Sequence, residues 1–280
     1  MTTTTAPPAT RQGSVHANGR PRVREAQPAP AAAERVVPQL GLRGVIAVWA
    51  AAALPVGALA WVVAPLIADR LSGPGALSRA LIITLTAGLA WQFVLVTILV
   101  AREQRTLRWN VVKGALWLRA PRSPRTGKRG GRIWLVVIPL IIAFGIEELL
   151  PAVAPAAGRD LGEFLGSDAG RALFSGAWGW FALIGALVVF NTVLGEELLF
   201  RGYLLPRMNG VFGRRDWLAN GVLFAAYHLH MPWAIPTTLL DTFIIAYPSK
   251  RYRSALIGIA VHSAQSVVIL ALTLSLVLKG

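Results

Sequence analysis

The chain has 280 residues, 55% of them hydrophobic, and a formal net charge of +15 at neutral pH. Several apolar runs approach the ~20 residues that a helix needs to cross a bilayer, which excludes an ordinary soluble domain. The basic residues fall in short segments between those runs, as in the cytoplasmic loops of a membrane protein, so nucleic acid is not an expected partner; and with no cysteine, disulfides, thiolate metal sites and a cysteine nucleophile are excluded as well.

Residues 1–43 are rich in Thr, Ala, Pro and Arg and lack apolar periodicity, so they read as a disordered cytoplasmic tail. They lack the apolar core of a cleaved signal, and insertion is expected to rely on the first membrane helix. Apolar runs then follow at 45–68, 80–101, 133–154, 173–200, 217–230, 234–247 and 254–278. About seven membrane helices are therefore expected, an all-α polytopic bundle. The first two, with the loop behind them, form an accessory unit at 44–132; residues 133–280 form the core.

The loop 102–132 carries ten Lys/Arg against the single acid Glu103. Positive-inside bias puts it in the cytoplasm beside the N-terminal tail. Part of it, Val111 to Leu118, also has the pattern of an amphipathic segment on anionic lipid, although a solvated loop is the simpler reading. Trp109, Trp117 and Trp134 are expected as interfacial anchors. Two further basic clusters, Arg207 with Arg214 and Arg215, and Lys250 with Arg251 and Arg253, lie on the same side only if 217–247 is a hairpin of two short helices around Met231-Pro232 and Pro236. Such helices must line a wet cavity or be shielded by others, because free backbone groups cannot face lipid. The hairpin is thus a candidate wall of a site.

An ionisable side chain inside a bilayer costs about 2.5–3.5 kcal/mol on insertion scales, so each one requires a reason. The fourth run ends in Glu196-Glu197, followed by Arg201. On an α-helix Glu197 and Arg201 are four apart and share a face, whereas Glu196 is turned about 100° away. Glu197 is expected to be neutralised by Arg201, leaving Glu196 free for chemistry. The next run places Phe224 and His228 on one face, with the ring packed beneath the imidazole. His230 is expected on the opposite side, near the turn. The last run supplies His262, then Gln265 and Ser266.

Depth joins these residues. Glu196 is 11 residues from Arg207, His228 is 13 from Arg215 and His262 is 9 from Arg253. At 1.5 Å per residue those depths are roughly 16, 20 and 14 Å, so the three side chains are able to meet in one pocket. Two other acidic features stand apart. Glu147-Glu148 with Pro151 imitates the Glu196 pair but has Ala152 where an arginine would stand, and Asp241 is either a pocket residue or the partner of a nearby donor.

The Glu-Glu-x-x-x-Arg run at 196–201, the Phe-x-x-x-His run at 224–228 and His262 on a later helix together resemble the CAAX-type prenyl endopeptidase and bacteriocin-processing (CPBP, Abi) family of intramembrane proteases. The resemblance covers roughly 173–278. It implies an intramembrane endopeptidase that hydrolyses a peptide bond in a membrane-associated or C-terminal peptide, with Glu196, Glu197, Arg201, His228 and His262 as site residues. It departs from the pattern at one point: relatives commonly carry Asn or Asp four residues after the third-motif His, where this chain has Ser266, with Gln265 beside it.

Two versions of the chemistry are open. In one, no cofactor is needed: Glu196 is the general base, and His228 and His262 orient water and stabilise the oxyanion. In the other, Glu196, His228 and His262 bind zinc. The absence of a His-Glu-x-x-His helix and of any legible orienter for either histidine favours the first. The alternative function is a non-catalytic membrane immunity or scaffold protein, and a third is a transporter, which would usually show repeated halves. The expected partners are the lipid bilayer and a peptide or protein substrate. Since the Arg- and Ala-rich composition is of bacterial type, the expected setting is a bacterial plasma membrane, with N-terminus and site on the cytoplasmic side.

Overall fold

The computed structural model describes residues 37–147, 149–150 and 153–279. Most of the expected tail, together with Glu148, Pro151 and Ala152, lies outside the described residues. Among those described there is no strand, only one antiparallel bridge between Arg122 and Arg129. The architecture is the expected all-α membrane bundle.

Four helices are long and apolar enough to cross a membrane: α1 (Leu42–Ala68), α2 (Ala76–Gln104), α4 (Trp178–Arg207) and α8 (Ala255–Leu278). Between α2 and α4 lies α3 (Val137–Glu147), preceded by a 3₁₀ turn at Gly131–Val136. The remaining apolar runs form α5 (Asp216–Tyr227), α6 (Ile235–Thr238) and α7 (Tyr247–Tyr252), with a π-turn at Thr242–Ala246 between the last two. Each of the seven apolar runs thus carries a helix. Three of those helical regions are too short or too interrupted to meet the length of a full span.

The stretch 216–252 is a hairpin, as its ends show. Lys250 Nζ bonds the Asp216 carboxylate, so the start of α5 and the end of α7 lie together. Along the pair, Trp217 packs edge-on against Phe243 and Tyr247, at 5.7 and 5.1 Å between ring centroids. Gly221 allows the close crossing, since a Cβ there would meet the Thr242 Cα at 2.7 Å. The hairpin tip docks on α1: Trp61 Nε1 donates to the Leu229 carbonyl at 2.7 Å, and its ring meets Trp233. Trp61 itself sits in a π-turn, Leu59–Val63, two residues before Pro65, which has no N–H to continue the ladder.

The basic segments gather at one end. Arg122 N–H donates to the Tyr252 carbonyl at 2.8 Å, Ser254 Oγ to the Arg119 carbonyl at 2.6 Å, and Ala255 N–H to the Trp117 carbonyl at 3.0 Å. Leu40 N–H reaches the Arg207 carbonyl at 2.9 Å, which brings the chain before α1 to the same end. Arg207 corrects the expectation of a basic loop residue. It is fully buried, paired through Nη2 and Nε with Glu103 at 2.7 Å each, with its guanidinium over the Tyr203 ring. The pair clamps the end of α4 to the end of α2.

Packing is tight where helices meet and apolar outside. Val45, Ala52, Val56, Val96, Leu199, Leu204 and Phe224 form the inner seam of α1, α2, α4 and α5. Phe144, Ile245, Ile257 and Val261 make a second seam among α3, the hairpin and α8. Leu54, Leu66, Ile138, Ile142, Val267 and Leu272 point outward. In lipid such exposure is favourable, and association of the helices rests on close packing and interhelical polar contacts instead of on water exclusion.

Candidate active site

Glu196 and Glu197 lie on α4 between two π-turns, Phe190–Gly195 and Leu198–Leu204. Such widened turns re-aim side chains and recur at functional sites. Both acids are buried, as is Arg201. Arg201 Nη1 stands 3.2 Å from Glu197 Oε1, the ion pair expected from their spacing. The guanidinium plane rests on the Phe224 ring, 3.9 Å from its centroid, where a desolvated cation–π contact adds to the pair.

Glu197 has a second polar neighbour. His262 Nδ1 lies 3.2 Å from the same Oε1 atom, so one carboxylate oxygen holds both Arg201 and His262. The other oxygen, Oε2, has no hydrogen-bond partner and lies against Gly258, where any Cβ would overlap it. Gly258 precedes His262 by one helical turn, so the turn that presents the imidazole also leaves room for the carboxylate it binds. His262 is further held by Phe144, edge-on at 5.7 Å.

His228 is placed by the end of a helix. α5 stops at Tyr227, and His228 N–H bonds the Ala225 carbonyl rather than that of Phe224. The freed Phe224 carbonyl is taken by His228 Nδ1 at 2.9 Å. A carbonyl only accepts, so Nδ1 carries the proton and neutral His228 presents Nε2 as an acceptor. The Phe224 ring meets the imidazole edge-on at 5.0 Å. Both histidines therefore have orienting partners that sequence reading missed: the Phe224 carbonyl for His228 and Glu197 for His262. The first was invisible because it requires the helix to end at His228; the second was hidden by assigning Glu197 to Arg201 alone.

Glu196 stands apart from this ion cluster. It lies within electrostatic range of His262, Glu197 and Arg201, and the Tyr227 hydroxyl is its polar neighbour outside that cluster. The Tyr227 ring packs against His228 at 5.2 Å. The five expected residues are thus gathered around Phe224 and Tyr227. His230 corrects the expectation of an opposite face: because the helix has ended, its ring stacks on that of His228 at 5.4 Å and touches Tyr227. Ser266 donates to Thr192 Oγ1 at 3.0 Å, which ties α8 to α4 one turn away from Glu196. Gln265 is half-buried. Asp241 is buried within electrostatic range of His262, and Glu147 is buried on α3.

The residues do not form a metal cage as arranged. Among the described residues no three His, Asp or Glu side chains are grouped closely enough to hold a metal ion. His262 Nδ1 is engaged with Glu197 and His228 Nδ1 with a carbonyl, so each imidazole has a single nitrogen free.

Comparison with known proteins agrees with the motif reading. Residues 178–268 match the family model described as type II CAAX prenyl endopeptidase Rce1-like. The match spans α4, the hairpin and the first half of α8, and holds all five expected site residues; α1 to α3 lie before it. No curated protein and no solved structure matches the chain.

Proposed function

We propose, from the premise of an Rce1-like domain at 178–268 in an integral membrane protein, that the chain is an intramembrane endopeptidase whose nucleophile is a water activated by Glu196. The observation that carries this reading is the unequal treatment of two adjacent buried acids. Glu197 is held by Arg201 and His262, while Glu196 makes no ion pair and has the Tyr227 hydroxyl beside it. A carboxylate without a cation bound to it is the better proton acceptor of the two.

In the proposed reaction Glu196 takes a proton from water as the oxygen attacks the scissile carbonyl carbon. His228 accepts the water's second hydrogen at Nε2 and so aims its lone pair. His262, sharing charge with Glu197, faces the developing oxyanion, and the buried Arg201 adds positive potential from behind. Collapse of the tetrahedral intermediate breaks the C–N bond, and Glu196 returns the proton to the leaving amine. Fixed dipoles act strongly here because little water competes with them. The substrate class is a membrane-associated or C-terminal peptide, prenylated if the domain's description extends to this chain.

Orientation follows from the charges. The basic loop, the Lys250–Arg253 cluster and the residues before α1 are joined by hydrogen bonds at one end, which supports a cytoplasmic placement of that end.

The test is a comparison of membrane proteomes from cells that carry wild type or Glu196→Gln. A peptide or C-terminal tail that persists only in the variant supports the proposal. Identical proteomes together with an intact, membrane-inserted variant point to the scaffold reading, for which the engagement of Ser266 with Thr192 in place of an oxyanion donor is the specific observation.

A further inference from the structure

We infer that Gln92 of α2 and Tyr227 of α5 form a hydrogen-bonded chain that positions the Glu196 carboxylate, so that a helix outside the matched domain sets the geometry of the proposed base. Gln92 is the point of departure. It is completely buried in an otherwise apolar membrane helix, where an amide is costly without a partner. Its Nε2 donates to the Tyr227 hydroxyl at 2.5 Å.

That bond dictates the next. A phenol that accepts from an amide has one proton left to donate, and the carboxylate within its interaction range is that of Glu196. Amide, phenol and carboxylate are then linked in one direction, each donor polarised by the one behind it. The backbone is built for this approach. Gly195, beside Glu196, faces α2 so closely that a Cβ there would stand 3.2 Å from the Leu89 carbonyl and 3.3 Å from Gln92 Oε1. Tyr227 is fully buried, with its ring packed on Phe200 at 5.5 Å, so its hydroxyl has little freedom to leave.

A glutamate has three side-chain torsions, and Glu196 has no ion pair to fix them. One carboxylate oxygen held by Tyr227 leaves the other directed at water. Gln92 and Tyr227 are positioning residues in this account. It rests on the peptidase reading for its catalytic consequence, but the hydrogen-bonded chain has a signature of its own.

Two measurements on the full-length protein in detergent test it. The first is cleavage of a quenched-fluorescent peptide ending in a prenylated CAAX sequence, by wild type, Tyr227→Phe, Gln92→Leu and the double variant. Tyr227→Phe should lower kcat about 10–100-fold, since misplacing a reacting group by about 1 Å costs up to about 100-fold, with KM changed by less than about twofold. Gln92→Leu should lower kcat less, and add nothing in the Tyr227→Phe background because it acts only through the phenol. The second is the infrared carboxyl band of Glu196, identified by difference against Glu196→Gln; it should shift in both single variants. Wild-type kcat in Tyr227→Phe, equal losses from Gln92→Leu in both backgrounds, or an unshifted band would each overturn the inference. A wild type that cleaves nothing, with a band that still shifts, sinks the peptidase reading and supports the chain.

Discussion

Glu196 and Glu197 are consecutive in sequence, yet their surroundings differ: only Glu197 is ion-paired. Glu197 is a hub: one oxygen serves Arg201 and His262, and its removal strands two groups at once. Breaking a buried pair by deleting one partner costs about 3–5 kcal/mol. Glu197→Gln and Arg201→Ala should therefore lower yield and melting temperature together with activity, measured by thermal shift on the purified variants. Gly258→Ala should act on the same hub by pushing a methyl group into the Glu197 carboxylate. Overpacking of this kind costs about 1–3 kcal/mol, so this variant should melt below wild type; a melting temperature equal to wild type would refute the close approach. His228→Ala and His262→Ala leave the Glu197–Arg201 pair intact and should abolish cleavage while the protein still inserts and purifies.

At the scale of elements, the hairpin 216–252 sets the depth of His228 and closes the wall beside Glu196. Its crossing depends on Gly221, where a larger residue meets the backbone of Thr242. Gly221→Val should separate the two arms and reduce activity and stability together, whereas Val222→Ala, on the exposed face next to it, should do neither. Much of this was legible: period and proline placement gave the short arms, and residue spacing gave the Glu197–Arg201 pair. What was not legible arises where the chain leaves regular α-geometry. Depth and facing estimates assumed 3.6 residues per turn through π-turns in α4 and through His228, where α5 has already ended. That assumption sent His230 to the wrong side and hid the Phe224 carbonyl as an orienter. Arg207 was misread as a loop cation because its partner, Glu103, is 104 residues away and has no sequence signal of pairing. Gln92 and Tyr227 did leave a signal, polar groups in apolar runs, which gains meaning only once their helices are seen to touch.

For the whole molecule, the proposed orientation places the basic end in the cytoplasm. Reporter fusions after Arg132, Arg215 and Arg253 should all report cytoplasm, and one near residue 165 the outside; an outside signal at Arg253 would break the hairpin topology. Activity in detergent should survive a strong chelator, because the proposed mechanism activates the water with Glu196 and aims it with His228, without a metal. Loss restored by stoichiometric zinc would establish a metal enzyme instead. The most direct test of the account is turnover of the prenylated probe peptide by purified wild type and Glu196→Gln, with melting temperature measured on the same samples. The amide fills the same volume and still hydrogen-bonds but cannot take a proton from water. Wild type should cleave, and Glu196→Gln should melt with it yet turn over nothing. A Glu196→Gln protein that cleaves at the wild-type rate would contradict the account.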